Sequence, residues 1–169
     1  MSVTLRRAEP GDVDFLEELV TDEDVEPYLA VVRPRDRQGL LEEIERSQAE
    51  PEEFGRFVIE VDGEPAGLMG FEVANRRSRI ANLSSLAVHP DFRGRHLADE
   101  AARLFQRHLL HDLGYHRLQL EIYGFNERAQ RHAERAGFVR EGVRRKAYRR
   151  NDEWVDSVIY GLVQEDLGS

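Results

Sequence analysis

Residues 86–98 read Leu-Ala-Val-His-Pro-Asp-Phe-Arg-Gly-Arg-His-Leu-Ala: an apolar strand end, a basic turn around a glycine, and the opening of an amphipathic helix. That order suits the binding of a phosphate. Leu97, Ala101, Leu104, Phe105 and His108 share one helical face, so the helix packs on that side while the unpaired N–H groups of its first turn point back into the loop. Arg93 and Arg95 add charge at the positive end of the helix dipole, and Gly94 lets the backbone approach a bulky ligand. The same pattern also describes an arginine-rich loop that stays solvated, and the loop alone does not separate the two.

Other residue types narrow the chemistry. The 169 residues include no cysteine, which removes disulfides, thiolate metal sites and a thiolate nucleophile. Any acyl transfer must run without a cysteinyl intermediate. His108 and His111 stand three apart on a helix, yet only Asp112 is close by as a third ligand, so no metal site is expected. A formal charge of −9 argues against nucleic acid as a partner, because that affinity rests on Lys and Arg neutralising phosphates. Asp22, Glu23, Asp24 and Glu26 form either a solvated connection or the rim of a cation site, and Arg140, Arg144, Arg145, Lys146, Arg149 and Arg150 either a charged hairpin rim or a clamp for an acidic ligand.

The positioning elements follow from periodicity. Val3–Arg7 reads as a strand, and a helix opened by Pro10-Gly11-Asp12 turns Val13, Leu16, Leu19 and Val20 to one side. A second helix runs from about Asp36, with Leu40, Leu41 and Ile44 inward, and ends before Pro51. Phe57–Val61, Pro65–Ala74 and Ile80–Val88 form three meander strands that lead into the basic turn. After the central helix, stopped by Gly114, Leu118, Leu120 and Ile122 alternate with Gln119, Glu121 and Tyr123 as a strand. Asn126 caps a short helix with Ala129, Ala133 and Ala136 on one face, closing at Gly137. Phe138–Val143 and Trp154–Leu162 finish the chain as strands around an Asn151-Asp152-Glu153 turn. Length and composition imply one domain over residues 1–169. With no apolar run of membrane length and no leader pattern, a cytoplasmic location and no membrane partner are expected.

From Ile80 onward the succession of strand, Val88-His-Pro-Asp-Phe-Arg-Gly-Arg-His-Leu-Ala98, helix, Gly114–Tyr123 strand, Asn126-Glu-Arg-Ala129 helix and Ala136-Gly-Phe138 resembles the GNAT superfamily of acyl-CoA-dependent N-acyltransferases. Glu141–Arg145 and Trp154-Val155-Asp156 look most like its branch of ribosomal-protein N-terminal and spermidine acetyltransferases. The resemblance implies an α+β fold with a largely antiparallel sheet of six to seven strands flanked by about four helices. It further implies transfer of an acetyl group from acetyl-CoA directly to a primary amine, whether a protein N-terminus, a polyamine or another small amine. In that reading Arg93, Gly94, Arg95, His96, Leu97 and Ala98 wrap the CoA diphosphate, Leu86, Ala87 and Val88 pair with the pantetheine arm, a backbone N–H near Ala87 or Val88 polarises the thioester carbonyl, and Asn126 contacts the pantetheine.

Two departures from the family pattern stand out. His96 replaces the usual central glycine of the loop, and Ala133 replaces the tyrosine that commonly protonates the departing thiolate. Tyr123 and Glu121 share a strand face that approaches the thioester in this fold, making them the candidate catalytic residues. Tyr148 could enter the acceptor pocket or pack on Trp154, and the hairpin arginines could reach the ribose phosphate of CoA. The resemblance also leaves room for a homodimer. The losses at positions 96 and 133 keep a second reading open, an acyl-CoA-binding sensor or scaffold without chemistry.

Overall fold

A computed structural model describes residues 1–29 and 36–167, apart from the side chain of Ser85. In chain order the elements are β1 (Val3–Arg7), α1 (Val13–Thr21), α2 (Arg37–Ala49), β2 (Phe54–Val61), β3 (Glu64–Asn75), β4 (Ile80–Val88), α3 (Leu97–Arg107), β5 (Arg117–Tyr123), α4 (Glu127–Arg135), β6 (Val139–Arg150) and β7 (Glu153–Val163). The strands form one seven-stranded sheet in the order β1-β2-β3-β4-β5-β7-β6, antiparallel except between β4 and β5.

Strand alternation sorts the core into two layers. Phe57, Met69, Phe71, Leu118 and Ile122 face α3 and α4, while Val58, Leu68 and Ala87 face α1 and α2. Side-chain caps set the helix starts: Asp36 Oδ1 accepts from Gly39 N at 2.8 Å and Asn126 Oδ1 from Ala129 N at 3.2 Å. α3 passes into a wide turn over His108–Asp112 before the chain reverses at Gly114, whose φ is +75°. α4 stops at Gly137, φ +100°, where Phe138 N donates back to Ala133 O at 3.0 Å. At the other end of the sheet, Arg6 donates to both carboxylate oxygens of Asp12, at 2.7 and 2.8 Å, tying β1 to the start of α1. That hydrogen bond, helped by the Glu9 N–H and opposed by burial, holds the Asp12 carboxyl below the usual carboxylate range.

The feature that matters for function is where the sheet opens. β4 and β5 pair only through Ile80↔Arg117, Ala81↔Leu118 and Asn82↔Gln119. Beyond that point, among the described residues, β4 keeps only β3 as a neighbour and β5 keeps only β7, so the two central strands splay apart. A bulge accompanies the opening: Leu68 pairs with Ala87 and Gly70 with Ser84, leaving Met69 opposite two β4 residues. Gly67 permits the tight approach on the far side of the bulge, because a Cβ there would lie 2.5 Å from the Ala87 carbonyl oxygen.

Two expected boundaries need correction. β6 runs to Arg150 rather than Val143, since as the sheet's edge strand it is exposed on both faces and carries no alternation to read. β2 begins at Phe54 rather than Phe57, because Arg56 is a buried strand residue paired with Glu43 at 2.8 Å.

Candidate active site

The splay opens into a cleft of about 1030 Å³. Met69, Leu83, Leu97, Ala102, Phe105, Leu120, Ala133 and Phe138 line its wall on the α3/α4 side, all of them members of or packed against that core layer except Ala102, a buried α3 residue. Ser84 and Glu121 follow Leu83 and Leu120, so they face the opposite side of the sheet, where the loop residues Asp24, Val25, Tyr28 and Leu29 complete the lining. The cleft therefore passes through the sheet, with one mouth between α3 and α4 and the other beside the segment that follows α1.

At the first mouth the structure brings together most of the loop residues read from the sequence. Leu86, Ala87, Val88, Arg93, Gly94, His96, Leu97, Ala98 and Asn126 all line the cleft. Arg95 does not, and its guanidinium lies 5.4 Å from the centre of the Phe92 ring instead. Gly94 has φ +79° and open space where a Cβ would be, so the turn presents bare backbone. α3 starts immediately after it, and its first-turn N–H groups are the unpaired donors of a helix N-terminus. An anionic diphosphate fits that arrangement. Arg93 reaches across to the Asp24 carbonyl oxygen at 2.9 Å, which links this turn to the second mouth.

His96 resolves the first departure. It sits just before α3 in the left-handed region, φ +56° and ψ +22°, with its side chain 91 % exposed. The backbone thus adopts the conformation a glycine would take, and the imidazole points to solvent. For a residue with a Cβ this conformation costs about 1 kcal/mol. His96→Gly is therefore expected to leave acetyl-CoA affinity intact or tighter and to raise stability by up to about 1 kcal/mol. Denaturant unfolding beside a cofactor titration checks both, and a marked loss of affinity would mean that the imidazole contacts the ligand.

Glu121 dominates the second mouth. Tyr148 Oη donates to its Oε2 at 2.5 Å and Arg144 Nη1 lies 2.9 Å from its Oε1. The Glu121 hydrogen bond, with burial adding to it, pushes the Tyr148 hydroxyl up to about 12, so Tyr148 stays protonated near neutral pH. Tyr148 joins this site and does not pack on Trp154, which takes Arg149 over its ring. Tyr123 does not reach the cleft lining: its ring is buried, stacked on Phe125 at 5.3 Å and edge-on to Tyr148 at 5.9 Å. Sequence reasoning missed Tyr28 and Phe125, two exposed aromatic rings 6.1 Å apart on the cleft wall, since neither sits in an amphipathic repeat. Of the hairpin cations, Arg144, Arg149 and Arg150 pair with Glu121, Asp152 and Glu26, and none of the six lines the cleft.

Asp99 and His132 join α3 to α4 at the first mouth, Nδ1 to Oδ1 at 2.9 Å, with Arg135 3.4 Å from the same oxygen. Burial pushes the His132 imidazole down despite Asp99. Burial alone would raise Asp99, but the His132 hydrogen bond and the Arg135 charge outweigh it and hold the carboxyl low. No described helix is long and apolar enough to cross a membrane.

Comparison with known proteins agrees with this geometry. The pattern of the acetyltransferase (GNAT) domain matches residues 2–139. The spermidine N(1)-acetyltransferase of Escherichia coli K12 is 32 % identical over 147 residues, covering 83 % of this chain and 75 % of the relative. The uncharacterized prophage-derived N-acetyltransferase YokL of Bacillus subtilis is 27 % identical over 166 residues, 98 % of this chain and 92 % of that protein. Among solved structures, the Vibrio cholerae spermidine N-acetyltransferase in complex with CoA and spermine superposes with a TM-score of 0.86 at 23 % identity, over 97 % of this chain and 96 % of that one. Sequence pattern, sheet topology and the through-sheet cleft converge, and the chain belongs to the GNAT family of acetyl-CoA-dependent N-acetyltransferases.

Proposed function

We propose that residues 1–169 form one acetyltransferase domain that acetylates a cationic alkylamine of the polyamine type, with acetyl-CoA entering between α3 and α4 and the amine entering beside Asp24 and Tyr28. The observation that carries this reading is the passage through the sheet at the β4–β5 splay, which lets donor and acceptor approach one point from opposite faces. Direct transfer needs that alignment, and holding two reactants in line is a large part of the rate.

Each residue then has a physical task. The turn Arg93–Ala98 holds the diphosphate with backbone N–H groups and the Arg93 charge, Leu86 and Ala87 line the path of the pantetheine arm, and Asn126 flanks it. His89 N donates back to Ala66 O at 2.8 Å, so strand alternation turns the preceding Val88 N–H toward the gap, where it would serve as the oxyanion donor. Glu121 receives the amine proton directly or through water, and Tyr148 and Arg144 orient its carboxylate. Tyr123 acts through its packing against Tyr148. As the nitrogen bonds to the acetyl carbon the carbon–sulfur bond breaks, and with Ala133 offering no acid the sulfur leaves as a thiolate, which a thiol pKa of about 8.5 makes feasible.

Support for a polyamine acceptor comes from the acidic groups at the second mouth, Asp24 and Glu121, and from the Tyr28 and Phe125 rings, whose faces attract cations. The E. coli relative, named for spermidine, points the same way. Self-association belongs to the same proposal, since the Vibrio cholerae enzyme has a dodecameric structure. Purified protein with acetyl-CoA should release free thiol on adding spermidine or spermine and far less with N-terminal peptides or aminoglycosides. Ala133 favours the second reading, a CoA-binding scaffold, and cofactor binding with no thiol release from any amine would establish it.

A further inference from the structure

We infer that Arg128 and Arg131 of α4 form a second phosphate subsite that reads the ribose 3′-phosphate of CoA and so separates CoA from its dephospho form. The inference rests on the cofactor placement proposed above. CoA carries anionic charge in two places, a diphosphate and a phosphate monoester on the ribose. The turn before α3 serves the first, because it leads into the unpaired N–H groups of the first turn of α3. A second dianion needs cations of its own on the same wall.

α4 supplies them. Arg128, Arg131 and Arg135 recur at three- and four-residue spacing on one side of the helix, and all three line the cleft. Their commitments differ. Arg135 is 3.4 Å from Asp99, and that carboxylate also holds His132. Arg131 lies 3.8 Å from an exposed Glu127, a loose pair on the helix surface, and Arg128 has no ion pair among the described residues. Both guanidiniums are therefore available to a ligand. The hairpin cations near β6, which the sequence offered as the alternative, do not line the cleft. In a chain of net charge −9, the three α4 guanidiniums at this mouth concentrate charge opposite to that of the body, and a phosphate monoester gains most from charge-assisted bonds to them.

The test is a calorimetric titration of wild type, the double variant R128A/R131A and the hairpin control R145A with CoA and with dephospho-CoA, after melting curves confirm that each is folded. The double variant should bind CoA about tenfold or more weakly while its affinity for dephospho-CoA changes less than about twofold, and its CoA affinity should fall less steeply with salt. R145A should match wild type with both ligands. Equal losses for the two ligands, or no loss for either, would overturn the subsite. Wild type silent toward both would instead overturn the cofactor placement.

Discussion

Gly67→Ala is expected to lower the melting temperature by about 2–12 °C, from an overpacking cost of about 1–3 kcal/mol in a domain of this size, and to remove most of the transfer activity. The added Cβ would lie 2.5 Å from the Ala87 carbonyl oxygen and 3.4 Å from Val88 Cα, both backbone atoms that cannot swing aside. Relief requires β4 to move away from β3 at the pair Gly67↔Val88, beside the bulge. That shift displaces the Val88 N–H, so turnover should fall further than the loss of folded protein explains. Gly142→Ala is the matching control, because no described residue lies within 4 Å of its Cβ position and it sits on the exposed β6 edge. A Gly67→Ala protein that melts and turns over like wild type would show that the β3–β4 contact has no such role.

Glu121→Gln should reduce kcat/KM for the amine about a hundredfold while acetyl-CoA affinity stays within about twofold, since proton transfer is typically worth on the order of a hundredfold or more. The carboxylate is the acceptor of both the Tyr148 hydroxyl and the Arg144 guanidinium, so removing its charge also frees those two groups. Tyr148→Phe separates the effects. It keeps the carboxylate and loses one orienting bond, and a smaller fall, about tenfold, is expected. pH adds a second readout. The folded protein raises Tyr148 to about 12, above the ordinary tyrosine value, so the stability this bond contributes is present in full below about pH 10 and is lost as pH rises through 10 to 12. Tyr148→Phe should therefore lack that alkaline loss. Unchanged amine kinetics in Glu121→Gln would remove the carboxylate from the reaction.

What the sequence made legible was local. The turn before α3, the cap at Asn126, the alternation of β5 and the order of the β2–β4 meander are each written in neighbouring residues, and the structure contains each of them, with β2 starting three residues earlier at Phe54. The splay was not legible from periodicity, because Leu83 and Leu120 look like ordinary strand residues and only the folded sheet reveals that pairing stops at Asn82 and Gln119. Arg95 misled for a related reason: a guanidinium beside an anion turn has an aromatic alternative in Phe92, and the sequence does not say which it takes. Tyr123 shares a face with Glu121 but sits where Phe125 and Tyr148 enclose it, a tertiary effect. His96 was legible as a departure, and the backbone angles show how it is absorbed.

A crystal structure of the acetyl-CoA complex decides whether the thioester lies in the β4–β5 gap with the diphosphate on the turn before α3. Phosphate oxygens are expected on the N–H groups of residues 94–98 and the thioester carbonyl oxygen about 2.7–3.1 Å from Val88 N. A cofactor bound away from that turn, or a β4–β5 gap closed by side chains with the nucleotide elsewhere, would contradict that placement.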